Sequence, residues 1–241
     1  MAEAVEDNLG HGAYSERWKR WNRCSLCEQE YHGPVCCAMG WACWKTYADP
    51  SNESNRYRAV NAMTILGLGL AMVGDYQAAL RVHEAQLSMG THSENYQLAF
   101  KHNIARCHLN TGRLEEAARI FRLIYRRRKD LDGIHHDGTL AAAHQLACTL
   151  IKLERYAEVK SLTLPIIRQR PLEASVRIAY AKALYKAEAA SRDELLEAGA
   201  ILCDVLPKNR QILGPSHPLT LGILSDLERV SMMLEDRPRA T

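Results

Sequence analysis

The sequence predicts an all-α protein built as a stack of antiparallel helix pairs, and three observations support this prediction. First, 47% of the 241 residues are apolar, yet only two are Phe, while Ala and Leu are abundant. That composition favours closely packed helices over sheets. Second, one residue pattern recurs three times along the chain. Third, small residues recur at matching helical positions, where two backbones could approach closely.

The recurring pattern is a turn that follows an apolar helical stretch and precedes a second helix. Its three copies begin at Gly74-Asp75-Tyr76, Gly112-Arg113-Leu114 and Glu154-Arg155-Tyr156. The first two copies are 38 positions apart, and the last two are 42 positions apart. Because one helix pair cannot bury its apolar face alone, pairs of this kind are expected to stack on their neighbours.

The second and third copies also match in the helix before the turn. Asn103-Ile104-Ala105-Arg106-Cys107 aligns with Gln145-Leu146-Ala147-Cys148-Thr149, again 42 positions later. Small residues on both helices of a pair would permit close packing: Gly67, Ala105 and Ala147 on the first, Ala79 and Ala117 on the second. His83 and Thr163 stand where an aromatic residue is expected, four positions after Ala79 and Val159.

The later part of the chain predicts a fourth, less regular pair and a closing helix. Apolar spacing predicts helices over residues 172–187 and 193–206, with Ser191 as the N-cap of the second. A last helix over 216–234 would carry Pro218 in its first turn. Pro165 is expected to interrupt the second helix of the third pair, since proline removes a backbone donor.

These residues resemble the tetratricopeptide repeat. Leu66-Gly67 followed by Leu70 matches the first half of its signature, and Ala117-x3-Phe121 matches the second. The long steps resemble the kinesin-light-chain-like variety, as does Leu213-Gly214-Pro215-Ser216-His217-Pro218-Leu219-Thr220. The segment 132–140 fits that loop loosely. The resemblance implies a right-handed α-solenoid of about four repeats plus a C-terminal capping helix.

We therefore predict three regions along the chain. Residues 1–54 form a head rich in Cys and Trp, which includes the first helix. Residues 55–234 form the repeat domain, and residues 235–241 form a disordered tail. The linker at 48–54 marks the boundary between head and repeats by its Pro, Ser and Asn content.

The head carries five of the eight cysteines, and three interpretations stay open. By spacing, Cys24, Cys27, His32 and Cys37 match the four ligands of a zinc knuckle. Against this, Gly33-Pro34 is typical of a helix start, and that helix would commit Cys37 to packing. A second interpretation needs no metal: Cys36, Cys37 and Cys43 pack with Trp41 and Trp44 on the first helix.

The third interpretation is a resemblance to the end of a RING-CH-like finger. Trp18 or Trp21, then Cys24, Cys27 and Tyr31, resemble that ending. Only His11 and no cysteine precede Cys24, so the other ligand pairs of such a finger are missing. The resemblance implies an alternative function, the substrate-binding part of a ubiquitin ligase that lacks most of its finger.

Several classes of function lack support in the sequence. The net charge of +3, with both signs mixed, gives no basis for nucleic-acid binding. No apolar run approaches the roughly 20 residues of a membrane span, and the first residues do not resemble a secretion signal. Phosphate-loop, nucleophile-elbow and zinc-protease motifs are missing, so we expect no enzyme. We expect no cofactor unless one zinc ion binds the head, and a reducing compartment, the cytoplasm.

The expected function is an adaptor that binds a peptide or helix of a partner protein on the concave face formed by the first helix of each repeat. Polar candidates on these helices are Asn61, Asn103, Arg106, His144 and Lys182, with Lys101 nearby. Asn103 and Arg106 could bind peptide backbone and acidic side chains. The alternative surface is a basic face made of Arg119, Arg122 and Arg126.

Overall fold

The structure is a computed structural model that describes residues 18–48, 56–89, 93–170 and 173–236. In these four ranges it contains ten α-helices, and its β-structure there is one isolated bridge. The helices are α1 (Gly33–Tyr47), α2 (Arg56–Met72), α3 (Tyr76–Ser88), α4 (Glu94–Asn110), α5 (Leu114–Asp132), α6 (Asp137–Lys152), α7 (Tyr156–Gln169), α8 (Ala174–Lys186), α9 (Arg192–Leu213) and α10 (Pro218–Glu235). This confirms the predicted all-α class.

The chain divides into two compact units, Met1–Arg113 and Leu114–Thr241. In the first unit α1 packs on α2, α2 on α3, and α3 on α4. In the second unit α5 packs on α6, α6 on α7, α7 on α8, α8 on α9, and α9 on α10. Helices adjacent in sequence are thus packed as successive neighbours within each unit, as the stacked-pair prediction requires.

Glycine allows the first two helices of unit 1 to cross at backbone contact. A Cβ atom on Gly40 of α1 would lie 2.8 Å from the Cα atom of Leu66, and one on Gly69 of α2 would lie 2.8 Å from the Cα atom of Cys37. Real Cβ atoms do not approach other carbons so closely, so α1 and α2 could not cross at this distance with larger residues.

The α2–α3 pair encloses a polar network around a buried histidine. His83 lies against Gly67, and its Nδ1 atom is 3.2 Å from Gln86 Oε1. Gln86 Nε2 donates to the Val60 carbonyl at 2.8 Å. Burial lowers the pKa of His83, with Arg106 adding to the effect. The imidazole thus fills the expected aromatic position.

The head forms a short hairpin that leads into α1. Its backbone is closed by hydrogen bonds from Cys24 N to Gln29 O and from Tyr31 N to Asn22 O, at 2.9 and 2.8 Å. An apolar cluster of Trp21, Cys43, Tyr47, Ala62 and Ile65 joins the head, α1 and α2. Cys36 and Cys43 are buried, as the packing interpretation predicts, whereas Trp41 is 45% exposed. Trp41 is therefore outside this core, contrary to that interpretation.

The core of unit 2 is centred on α8, α9 and α10. Its buried members include Leu184, Tyr185, Leu195, Leu202 and Ile223. A second cluster joins α6, α7 and α8 through Leu140, Ala143, Ile166 and Val176. The small residues that the sequence assigned to helix contacts, Ala79, Ala105, Ala117 and Ala147, are fully buried in their respective units.

The three predicted turns lie where the sequence placed them. Each contains a residue in the left-handed region: Gly74 with φ 83°, Gly112 with φ 78°, and Glu154 with φ 59°. Glycine adopts this conformation without steric cost, but glutamate does not. The third turn is therefore strained at the one copy of the repeat that lacks glycine.

Helix boundaries late in the chain agree with the sequence, with two corrections. Ser191 caps α9 through a capping box with Glu194, and Pro218 begins α10. However, α7 continues through Pro165, and α9 continues through Pro207 to Leu213, beyond its predicted end at 206. In both helices the carbonyl that loses its donor belongs to an exposed residue, Ser161 or Cys203, where water can replace the missing hydrogen bond.

Parts of the predicted organisation lie outside the described residues. They include residues 49–54 of the predicted linker, most of the predicted tail at 235–241, and His11. In the described part of the chain, the longest and most apolar helices still fall short of what a membrane crossing requires.

Candidate functional site

A groove on unit 1 that carries predicted binding residues lies between the head and the helices behind it. It has a cavity volume of about 480 Å³. Its walls come from the head hairpin, α1, the last turns of α2, the first residue of α3, and α4: Asn22, Glu30, Tyr31, Cys36, Leu68, Ala71, Met72, Tyr76 and Arg106. Most of these side chains are apolar or aromatic, and the hairpin closure and the α2–α3 turn hold them in place.

Arg106 is the cation of this groove. Its side chain is exposed, and within the described ranges it makes neither an ion pair nor a side-chain hydrogen bond. The only acidic residue on the groove wall, Glu30, lies 3.8 Å from Arg23. The guanidinium is therefore available to a carboxylate from another molecule, for which its planar array of donors is well suited.

A narrow cleft extends the groove along α4. It has a volume of about 20 Å³, enough for about one water molecule. Asn103, Arg106, Cys107 and Asn110 line it from α4, opposite residues of α2 and α3. Asn110 Nδ2 donates to the Arg106 carbonyl at 2.8 Å, so the Asn103 amide is the better candidate for contacting a ligand.

The corresponding helices of unit 2 carry His144 and Lys182, and both are engaged within the unit. His144 Nε2 lies 3.3 Å from Cys148 Sγ on α6. Lys182 Nζ lies 3.3 Å from Asp226 Oδ2, and Tyr185 OH donates to Asp226 Oδ1 at 2.6 Å. Lys182 Nζ and Asp226 Oδ2 form an ion pair, but their geometry does not meet that of a hydrogen bond. Burial lowers the pKa of His144 and raises that of Cys148.

The five predicted binding residues thus have different environments. Asn103 and Arg106 lie together on the groove of unit 1, while His144 and Lys182 lie among paired groups of unit 2. Asn61 is half-buried on α2 and does not line the groove. On the alternative basic face, Arg122 pairs with Glu158 at 2.9 Å, whereas Arg119 and Arg126 are exposed.

The four head residues proposed as zinc ligands are not brought together. Within the described ranges, no three His, Cys, Asp or Glu side chains are grouped so that they could hold a metal ion. The reason is local: Gly33-Pro34 begins α1, and Cys37 lies in that helix against Gly69 of α2. Cys24 and Cys27 stay in the hairpin turn, so a site of Cys24, Cys27, His32 and Cys37 does not fit this arrangement. The expectation of no cofactor, unless one zinc ion binds the head, stays a prediction.

Sequence reasoning missed the head's contribution to the groove. Tyr31 was considered only in relation to a metal finger, yet it forms one wall of the cavity together with Asn22 and Glu30. Tyr76 was identified only as part of the first predicted turn, and its half-buried ring also lines the groove. No local signal marks these residues, because the hairpin reaches the repeat only through its packing on α1 and α2.

Comparisons with known proteins bear on the fold. No protein-family model matches the chain, and no curated protein matches it. A solved structure of a putative kinesin light chain with nearly identical TPR-like repeats from Podosopora anserina is similar, with 20% identity and a TM-score of 0.59 over 74% of this chain and 88% of that chain. A single-substitution form of the same protein gives 19% identity and a TM-score of 0.60, over 74% and 87% of the two chains.

A third similar structure is BtubC (BKLC) from P. vanneervenii, with 13% identity and a TM-score of 0.54. This similarity covers 85% of this chain and 94% of the BtubC chain. At these identities the likeness speaks for the fold. Together with the successive helix pairs, it shows that this chain has the all-α architecture of TPR-like, kinesin-light-chain-like repeat proteins.

Proposed function

We propose that this chain is a protein-interaction adaptor that acts by binding rather than by catalysis. Its ligand is a short segment of a partner protein that places a carboxylate on Arg106 and an apolar side chain between Leu68, Met72, Tyr31 and Tyr76. The observation that carries the proposal is the exposed guanidinium of Arg106, without an ion pair among the described residues, on a largely apolar cavity of about 480 Å³.

Both parts of the proposed ligand follow from the groove wall. Met72 is 51% exposed, which is high for an apolar residue beside aromatic rings, and covering it would remove apolar surface from water. A charge-assisted hydrogen bond to Arg106 would fix the orientation of the peptide. Asn103 can bond to peptide backbone groups, since it lines the adjoining cleft three residues before Arg106.

The proposal is tested by selecting ligands from a random peptide library displayed on phage, with the full chain as bait. We expect enriched peptides to carry Asp or Glu within a few residues of an aromatic or aliphatic residue. In fluorescence-polarisation titrations, Arg106→Ala should weaken their binding by about tenfold or more, as expected for a charged hot-spot residue. Asn103→Ala should have a smaller effect in the same direction.

Unit 2 offers matched controls. Lys182→Ala and His144→Ala change first-helix residues that the sequence analysis named as candidates alongside Arg106, and neither should alter the affinity of the selected peptides. Raising the salt concentration should weaken binding to the unmodified chain but scarcely affect the Arg106→Ala variant. Selected peptides without acidic residues, or peptides that bind Arg106→Ala with full affinity, would refute the proposal.

The alternative function, part of a RING-CH-like ubiquitin ligase, gains no specific support from the described residues. Cys24 and Cys27 make one potential ligand pair, and no third ligand is grouped with them in the described part of the chain. The expectation that neither nucleic acid nor a membrane is a partner, like the cytoplasmic location, stays a prediction from the sequence.

A further inference from the structure

Helix α10 of unit 2 is the structural counterpart of α6 in the same unit. The N-cap residues His136 and His217 lie 81 positions apart in the chain, and so do the fully buried Thr139 and Thr220. Ile223 is buried on the core side of α10, as is the α6 residue aligned with it. The two helices can therefore be compared residue by residue.

The opposite side of α10 is open, whereas that of α6 is covered. Leu140 is 4% exposed, but the aligned Leu221 is 51% exposed. Ala147 is fully buried, but the aligned Glu228 is exposed. Within the described residues, α10 packs on α9 and touches α8. We call the side that is covered in α6 but uncovered in α10 the open face; its residues are Leu221, Leu224, Glu228 and Ser231.

The contact between α6 and α7 shows what kind of element fits such a face. Ile166, near the end of α7, packs with Leu140 and Ala143 near the start of α6, so the two helices are antiparallel. Val159 and Thr163 precede Ile166 at one-turn spacing on α7 and are also fully buried. The element that covers α6 is thus an amphipathic helix with a narrow stripe of branched side chains.

The open face differs from the covered side of α6 in its charge. Glu228 makes neither an ion pair nor a hydrogen bond in the part of the chain that the structure describes, and Glu235 is exposed two turns later. Arg192 of α9 donates to a carbonyl of the last turn of α10 at 3.4 Å, which leaves the carboxylates in excess. Arg229 lies on the side of α8, where it opposes the rise in the Tyr185 pKa that burial causes. The C-terminal half of the open face therefore favours a cation.

The register of a covering helix locates that cation. In α7 the residue that meets the start of α6 is Ile166, and α10 presents Leu221 and Leu224 at the aligned positions. Because two antiparallel helices rise equally per residue, the residue opposite Glu228 lies about six positions before the one that meets the two leucines.

A second copy of this chain does not meet these requirements. Two open faces packed antiparallel would bring their Glu228 side chains within about one helical turn of each other, where like charges repel. Helix α1 has the exposed apolar residues Val35 and Trp41, but its one cation, Lys45, lies in its last turn. Antiparallel packing would place Lys45 at the leucine end of the open face, away from Glu228.

We propose that the open face binds an amphipathic helix of a partner protein, antiparallel to α10. An aliphatic side chain of this helix contacts Leu221 and Leu224, and a Lys or Arg about six positions earlier pairs with Glu228. Recognition is by a helix laid into a groove with apolar anchors at one-turn spacing. The inference is independent of the proposed adaptor function, because the groove at Arg106 belongs to unit 1.

The test selects binders from a phage-displayed library of amphipathic helices on a stable helical scaffold, with the full chain as bait. Enriched helices should carry aliphatic residues at one-turn spacing and a Lys or Arg nearer their N-terminus. In fluorescence titrations, Leu221→Glu should weaken their binding by about tenfold or more. The matched control is Leu123→Glu, at a leucine of α5 that is 43% exposed, and it should bind as the unmodified chain does. Arg106→Ala should also retain full binding, which separates this site from the groove of unit 1.

Reversing the charge of the open face tests the electrostatic part. Glu228→Lys should weaken binding of the selected helices by about tenfold, and a new selection on this variant should enrich Asp or Glu at the same position. Asp130→Lys, at an exposed position of α5, is the control and should do neither. All variants should keep their helicity by circular dichroism, since the changed side chains are exposed.

Light scattering on the unmodified chain examines the competing occupant and should show a monomer. A dimer that Leu221→Glu dissociates would assign the open face to a second copy and overturn the proposal. A selection that enriches no helix, enriched helices without a basic residue, or full binding by Leu221→Glu would also overturn it.

Discussion

The first helix of a helix pair uses the same repeat positions for different purposes in the two units, as α4 of unit 1 and α6 of unit 2 show. Arg106 of α4 and Cys148 of α6 occupy aligned positions 42 residues apart. Arg106 is exposed on a groove, whereas Cys148 contacts His144 and lies near Lys182, which pairs with Asp226. Polar residues at equivalent places in a repeat can therefore be available to a ligand in one unit and part of the internal structure in the other.

The largest expected effect tests whether the polar cluster of unit 2 is structural. Asp226→Ala should lower the free energy of unfolding by about 2–3 kcal/mol, because Tyr185 OH and Lys182 would lose the acidic partner they share. Arg106→Ala should change it by no more than about 0.5 kcal/mol, as expected for an exposed side chain without an internal partner.

Chemical denaturation of both variants and of the unmodified chain measures this difference. Asp226→Asn is the matched control, because it keeps a hydrogen-bond acceptor for Tyr185 and should recover part of the loss. If Arg106→Ala were as destabilising as Asp226→Ala, the contrast between the units would be wrong.

A second comparison concerns how each unit fills its helix contacts. Unit 1 sets Gly67 against the buried His83, while the aligned positions of unit 2 hold a larger residue, Ala147, and a smaller one, Thr163. A Cβ atom at Gly67 would lie 2.5 Å from His83 Nε2. Gly67→Ala should therefore destabilise the chain by about 1–3 kcal/mol through overpacking, despite the higher helix propensity of alanine.

The double variant Gly67→Ala with His83→Thr copies the arrangement of unit 2 and supplies the control. Thermal unfolding should show that it recovers part of the stability lost in the single variant. An unchanged melting temperature for Gly67→Ala would mean that the imidazole can move aside at no cost.

The buried His83 and the half-buried His144 predict a pH dependence of stability. The pKa values of His83 and His144 lie below the ordinary 6.5, mainly because burial disfavours the charged ring. Below 6.5 the unfolded chain binds protons that the folded chain does not, so stability is full above this pH and falls as the pH drops towards the folded pKa values. Each histidine contributes a slope of at most about 1.4 kcal/mol per pH unit.

Denaturation midpoints measured between about pH 8 and pH 5 would show this slope. His83→Phe should flatten it, whatever the variant does to the absolute stability, and His135→Gln, at an exposed position, should leave it unchanged. A slope that survives in His83→Phe at its original size would exclude His83 as a source.

The smallest expected effect concerns the strained turn of unit 2. Glu154 adopts φ 59°, while the matching turn residues Gly74 and Gly112 are glycines. Glu154→Gly should raise the free energy of unfolding by up to about 1 kcal/mol, since the relief of strain exceeds the added freedom of the unfolded chain. Gly74→Ala should lower it, and if both variants shifted the melting temperature in the same direction, the strain argument would fail.

Much of the fold could be predicted because its signals are local. The turn residues at 74–75, 112–113 and 154–155 separate helices where expected, Gly33-Pro34 begins α1, and Ser191 caps α9. At two positions the local sequence was a poor guide to where a helix is interrupted or ends. Pro165 and Pro207 lie inside continuous helices, because the carbonyls they leave without a donor belong to exposed residues.

Two further helices begin with a histidine cap that the sequence analysis did not predict. His136 and His217 cap α6 and α10, with their Nδ1 atoms accepting from Gly138 N at 3.1 Å and from Leu219 N at 3.2 Å. Both precede a buried threonine, Thr139 or Thr220, three residues later. The shared spacing in the two loops was visible in the sequence and could have identified the caps.

The sequence by itself determined the helix pairs, their turns and the face on which Asn103 and Arg106 lie, since these depend on residues within one or two helical turns. Only the tertiary structure decided which polar groups stay available. Lys182 meets Asp226 from another helix, and Arg106 faces a groove whose far wall comes from the head hairpin. Partners of this kind are about 40 to 80 residues apart in the chain, and no local pattern encodes contacts set by helix packing.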